Sequence, residues 1–244
     1  MKETNLDKAE NNKNLHYSMI KNYFIKDSTY KKNFYNFKNR EEIEQELKKL
    51  KIWKIYTSIL DEILQNDTKI SNVVDVGCGI GNFIFELTTR KQFKKIVGID
   101  LLSETLKIAF DNQKYFKNIY FIQGDMLNLP INDSSFNLTI CLDSIHHIHK
   151  DDLWKAIKEL TRITNKYLMI EIRNKDFILE FFYKKILLPK YYSDLPQYST
   201  TITELDDFMK RNGFTQILSR GLKIVNKTNR RIVLVYKKMG NGET

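Results

Sequence analysis

Between positions 73 and 83 the chain reads Val73-Val74-Asp75-Val76-Gly77-Cys78-Gly79-Ile80-Gly81-Asn82-Phe83. A short apolar run ends around an acid, three glycines follow at alternate positions, and a helix-like stretch takes over. The apolar run suits a strand buried on both faces. Glycine has no Cβ, so alternating glycines suit a turn at positive φ that brings bare backbone against a ligand. The helix that follows is expected to direct its unpaired N–H groups toward the same place. Strand, glycine turn and helix in this order open an α/β fold. The spacing also excludes two readings. A dinucleotide-binding loop is written G-x-G-x-x-G, and here the third glycine comes one residue early. A P-loop closes on Gly-Lys followed by Ser or Thr, whereas Gly81 is followed by Asn82.

The run resembles the first motif of class I S-adenosylmethionine-dependent methyltransferases, written D-x-G-x-G-x-G in that family. The resemblance implies that Asp75 lies near the methionine end of the cofactor S-adenosyl-L-methionine. It also implies that the loop of Gly77, Cys78, Gly79 and Gly81 packs against the methionine and ribose. Two later segments carry the resemblance on. Lys95-Ile96-Val97-Gly98-Ile99-Asp100 reads as a second strand ending in an acid, the residue type that accepts two hydrogen bonds from a ribose diol. The family places its ribose-binding acid at Asp100, with Leu101 or its neighbour Leu102 on the adenine face. A third apolar run, Ile119 to Gln123, ends in Gly124-Asp125-Met126. There the resemblance assigns Asp125 to the adenine amine and the Met126 backbone to the ring.

The rest of the chain is consistent with that plan. A length of 244 residues suits one domain with an appendage. No apolar run approaches the roughly 20 residues that span a bilayer. Residues 1–15 are polar, lack the apolar core of a secretory signal, and read as a disordered tail. Residues 16–68 read as an N-terminal helical cap, with a long amphipathic helix over 39–65 preceded by the aromatics Tyr30, Phe34, Tyr35 and Phe37. Residues 69–240 are then the methyltransferase core. The family's architecture implies a Rossmann-like, mostly parallel sheet of seven strands with helices on both faces and the last strand antiparallel. An insertion over 174–200, rich in Phe, Tyr and Leu, is expected to shape the acceptor pocket. The cysteines, Cys78 and Cys141, show no zinc or disulfide spacing, which suits a reducing, cytoplasmic setting.

Chemistry is expected where the fourth strand ends, at Cys141-Leu142-Asp143-Ser144-Ile145-His146-His147. Methyl transfer from a sulfonium is an in-line displacement that needs alignment, and a proton acceptor if the nucleophile carries a proton. Histidine supplies one near neutral pH. An Asp four residues before a His resembles the corresponding segment of phosphoethanolamine N-methyltransferases, which puts His147 ahead of His146 as the base. It makes Asp143, with Leu142 beside it, a contact to substrate or cofactor. The Asn/Asp-Pro-Pro-aromatic motif that marks methyltransferases of bases and glutamine amides is absent from this segment. No metal-ligand cluster is evident.

Net charge is +10. Between Asp207 and Glu243 there is no acid, while Lys210, Arg211, Arg220, Lys223, Lys227, Arg230, Arg231, Lys237 and Lys238 all fall there. Such a stretch suits an anionic acceptor or RNA. The expectation is methyl transfer to an O or N atom of a small metabolite, phosphate-bearing acceptors included. RNA methylation and non-catalytic cofactor binding are the alternatives.

Overall fold

The computed structural model describes residues 5–26, 41, 42, 45, 51–176, 197–221 and 230–240. In chain order the elements are α1 (Asn5–Lys26), α2 (Lys51–Asn66), β1 (Asn72–Val76), α3 (Asn82–Leu87), β2 (Lys95–Asp100), α4 (Ser103–Gln113), β3 (Ile119–Gln123) and β4 (Phe136–Cys141). A single 3-10 turn, Ile145–His147, then leads to α5 (Leu153–Ile163), β5 (Thr164–Arg173), α6 (Ile202–Arg211), β6 (Phe214–Gly221) and β7 (Arg231–Lys238).

The strands form one sheet in the order β3-β2-β1-β4-β5-β7-β6. Neighbours from β3 through to β5 run parallel, and β7 runs antiparallel to both β5 and β6. The seven-stranded, mostly parallel architecture read from the sequence is therefore the observed one. Alternate strand residues feed two apolar layers. Val73, Ile96 and Leu138 face α2, α3 and α4, while Val74, Val97 and Leu168 face α5 and α6. Helix α5 places Leu153, Ala156, Ile157, Leu160 and Ile163 on one stripe at helical spacing, and all are buried. Helix α6 starts with a reciprocal capping box between Thr201 and Glu204. The chain winds outward in both directions from β1 and β4, so their carboxyl ends border the crevice where ligands of such sheets bind.

Residues 5–15, whose composition suggests a disordered tail, lie in α1, which begins at Asn5. Tertiary contacts, not intrinsic propensity, hold that helix. Lys13 pairs with Asp152 at 2.7 Å, Tyr17 donates to Asp152 at 3.2 Å, and His16 and Ile20 are buried. The N-terminal cap also divides. Helix α2 buries Tyr56, Ile59, Leu60 and Ile63 in the core beneath the sheet, and among the described residues of the cap it is α1 that reaches the crevice. The aromatics Tyr30, Phe34, Tyr35 and Phe37, and the body of the 174–200 insertion at 177–196, lie outside the described residues.

Candidate functional site

At the carboxyl ends of β1, β2 and β4 lies a cavity of about 970 Å³, its open mouth included. Its floor is the glycine loop. Gly77, Gly79 and Gly81 all have positive φ, at 82°, 54° and 86°. At Gly77 a Cβ would lie 1.9 Å from Ser144 Oγ, so only glycine fits there. The loop's amides are tied to the next strand. Gly77 and Cys78 donate to the Ile99 carbonyl at 2.7 and 3.1 Å, and Gly79 donates to Asp100 Oδ2 at 2.8 Å. Glycine here thus allows close approach of backbone to Ser144, and the N–H groups of Gly77, Cys78 and Gly79 brace β1 against β2. Helix α3 has only six residues and contributes little as a dipole.

Of the residues expected to hold the cofactor, Gly77, Gly79, Asp100, Leu101, Asp125, Met126 and Asp143 line the cavity. Asp75, Cys78, Gly81 and Leu142 do not. Asp75 sits buried behind the loop, and Leu142 packs into the core. Cys78 Sγ occupies the space that a Cβ on Gly98 would take, and Gly81 is packed against Phe121 and Phe85. Of the two histidines, His147 lines the cavity and His146 is buried behind it.

Asp100 is the best-held carboxylate of the site. It accepts from Gly79 N, from Leu102 N at 2.9 Å and from Thr105 Oγ1 at 3.1 Å. Burial pushes its carboxyl up, while the N–H groups of Leu102 and Gly79 pull it part of the way back. Asp125 Oδ1 accepts from Leu127 N at 2.8 Å, which orients it at the rim. The walls between these acids are apolar, from Ile99, Leu101, Leu102 and Met126.

Burial pushes the Asp75 carboxyl up to about 8, and the neighbouring charge of Asp100 adds to the shift. The folded value exceeds the ordinary one of 3.8. Asp75 therefore supports folding fully below about pH 4, and that support is lost as pH rises through about 8. Urea unfolding of the ligand-free protein should show stability falling from pH 5 to pH 8. Asp75→Asn should flatten that fall, and an unchanged slope would contradict the assignment.

At the β4 end, Arg173 Nη2 donates to Asp143 Oδ1 at 2.8 Å and to His146 Nε2 at 3.0 Å. Burial lowers His147 to about 3, with the positive charge of Arg173 contributing, so its imidazole is neutral across the physiological range. His146 is pushed well below its ordinary value, first by burial and then by His147 and Arg173.

The N-terminal cap read from the sequence named none of the residues of α1 that wall the cavity. Tyr17, Ile20 and Lys21 line the cavity, and His16 Nε2 contacts the His147 carbonyl oxygen at 2.7 Å. His16 and Ile20 are one helical turn apart just after a polar stretch, a faint signal overshadowed by the composition of residues 1–14. Thr105, Ser144 and Ile148 also line the cavity. Three described members of the basic C-terminal stretch take different partners. Arg231 turns inward to Glu171, Arg220 pairs with Glu62 at 2.8 Å, and Lys238 donates to the Thr164 carbonyl at 3.1 Å. Lys223 and Lys227 lie outside the described residues.

Residues 73–166 match the family model of a methyltransferase domain. An uncharacterized methyltransferase of Bacillus subtilis is 29% identical over 104 residues, 41% of this chain and 40% of that protein. Norajmaline N-methyltransferase of Rauvolfia serpentina is 33% identical over 99 residues, 39% of this chain and 32% of that protein. These matches thus span well under half of either relative. Among solved structures, magnesium protoporphyrin IX methyltransferase from Synechocystis PCC 6803 with bound S-adenosylhomocysteine superposes with a TM-score of 0.67. The two share 15% identity, over 91% of this chain and 99% of that one.

Proposed function

We propose that this chain, a class I S-adenosylmethionine-dependent methyltransferase by its fold and its domain match, methylates an O or N atom of a small metabolite. One observation carries the reading. A single cavity holds a fixed carboxylate at the end of β2, an apolar slot with an acid at the end of β3, and Asp143 and His147 at the end of β4. The acceptor groups and apolar walls present fit the cofactor. Asp100 would take the ribose diol, Asp125 the adenine amine, and Leu101 and Met126 the faces of the ring. When bound, S-adenosylmethionine supplies an electrophilic methyl, which the acceptor's lone pair takes as the C–S bond breaks toward sulfur.

The chain's own residues supply alignment and exclusion of water. Tyr17 and Ile20 cover the cavity, and His147 presents a neutral imidazole to the acceptor end. A base whose conjugate acid titrates near 3 is a weak proton acceptor at pH 7, so hydrogen bonding and orientation are its main contributions. This suits an acceptor that arrives as a neutral amine better than an alcohol that needs strong deprotonation. Arg231, Arg220 and Lys238, members of the basic stretch, are engaged within the fold. Their engagement supports a small acceptor over RNA.

The test is transfer of labelled methyl to panels of amines, alcohols and RNA, with S-adenosylhomocysteine release as the readout. Label in the small-molecule fraction is expected, and label confined to RNA would contradict the reading. On the accepted substrate, His147→Ala should cut turnover by roughly 10²-fold with cofactor affinity nearly intact. The wild-type kcat/KM profile should show no acid limb near pH 6.5 from His147. A limb there that disappears in His147→Ala would show the imidazole titrating as an ordinary base.

A further inference from the structure

Asp143 is a non-glycine residue at positive φ, 51°, on the loop that leaves β4. Side chains seldom adopt that conformation unless their surroundings hold them in it. Its own side chain is 57% exposed and lines the cavity. What holds it comes from the other half of the sheet. Arg173 and Arg231 are direct cross-strand partners on β5 and β7, an arrangement that by itself sets two like charges against each other. Glu171 lies two residues before Arg173 on the same face of β5 and is fully buried. Its carboxylate receives Arg173 Nη1, and Arg231 Nε and Nη2 at 2.6 and 3.0 Å. Tyr56 of α2 donates to Glu171 and accepts from Arg231 Nη2 at 3.0 Å. Both guanidinium groups then reach the same atom, Asp143 Oδ1, at 2.8 and 3.0 Å.

Two acids and two arginines are thus balanced in charge, with one acid buried at the base and the other at the cavity. A buried ion cluster carries a desolvation penalty that packed apolar side chains would avoid. This one terminates on a cavity residue in an unfavourable backbone conformation.

Resting on the methyl-transfer reading above, we propose that Arg173 and Arg231, anchored together on Glu171, are positioning residues that hold the Asp143 carboxylate at the reacting end of the cavity, where it favours the cationic sulfonium over the neutral thioether product. Asp143 lines the cavity beside Ser144, which packs against Gly77. A fixed carboxylate there attracts the sulfonium charge and gains nothing from the thioether. Cofactor exchange after turnover would be favoured by the same difference.

Removing a cation beside the cavity should, by bare electrostatics, strengthen sulfonium binding. Removing a positioning residue should weaken it instead, because Asp143 loses its fixed place. The experiment is calorimetric titration of the full chain with S-adenosylmethionine and S-adenosylhomocysteine. It compares wild type with Asp143→Asn, Arg231→Gln, Arg231→Lys and Tyr56→Phe.

The ratio of the two affinities should move toward the thioether by about ten-fold in Asp143→Asn and by about three-fold or more in Arg231→Gln. Arg231→Lys, which keeps the charge and loses the fork, should fall between wild type and Arg231→Gln. If Arg231→Gln does not fold, Tyr56→Phe supplies the reading, with a smaller shift of the same sign. A folded Arg231→Gln or Tyr56→Phe with an unchanged ratio, or one moved toward the sulfonium, overturns the inference and leaves the methyl-transfer reading intact. Wild-type protein that binds neither ligand overturns both.

Discussion

Asp100→Ala is expected to weaken binding of S-adenosylmethionine and S-adenosylhomocysteine by roughly 10²–10³-fold. Two effects combine. The ribose diol loses a charged acceptor in a partly buried site, where each such hydrogen bond counts for about 1.5–3 kcal/mol. The floor of the cavity also loosens, because Gly79 N, Leu102 N and Thr105 Oγ1 all donate to this one carboxylate. Asp100→Asn keeps an acceptor oxygen and loses the charge, so it should fall between wild type and alanine. Because both ligands carry the ribose, both should weaken alike, unlike the divergence expected when Asp143 is disturbed. Calorimetry on the three proteins checks this, and alanine binding within about three-fold of wild type would remove Asp100 from the site.

Gly77→Ala should abolish measurable cofactor binding. The added Cβ would lie 1.9 Å from Ser144 Oγ and 2.5 Å from Ser144 Cβ, far inside van der Waals contact, and φ is +82°. The loop or the Asp143–Ser144 segment must move, and both line the cavity. The destabilisation should be about 1–3 kcal/mol, the usual cost of a strained backbone position or an overpacked site. Ser144→Gly in the Gly77→Ala background removes both clashing atoms and leaves only the φ strain, so it should restore part of the binding. Equilibrium unfolding and cofactor titration of the single and double variants test this. Gly77→Ala with native affinity would show that the loop does not shape the site.

The parts of the site that were legible in the sequence are those written by short-range rules. A buried strand is mostly apolar, a turn at positive φ favours glycine, and a strand end suited to a diol offers a carboxylate. Asp100, Gly77 and Gly79 follow such rules, Asp125 was singled out by the resemblance, and all four line the cavity. Cys78 shows the limit of the same reasoning. It stands inside the glycine loop, yet its side chain turns away to fill the space left by Gly98 on the neighbouring strand, and no local pattern encodes that choice.

The contribution of α1 was hidden for a related reason. A polar helix with little intrinsic preference is held by Asp152 and the His147 carbonyl, both more than a hundred residues away in the chain. Arg231 was misread because net charge counts side chains without their direction. It belongs to a basic run in sequence and to a buried ion cluster in space. The fourth-strand histidines differ by one position and by a full change of role. His147 meets the cavity, whereas His146 accepts from Arg173 in the interior.

The central claim is that the cavity at the ends of β1, β2 and β4 is built for S-adenosylmethionine. The most direct test is calorimetric titration of the unmodified chain with S-adenosylmethionine, S-adenosylhomocysteine and NAD under one set of conditions. Dissociation constants in the micromolar range for the first two, on the order of −7 to −8 kcal/mol, with no measurable NAD binding, are predicted. Tight NAD binding without binding of either sulfur ligand would contradict the account.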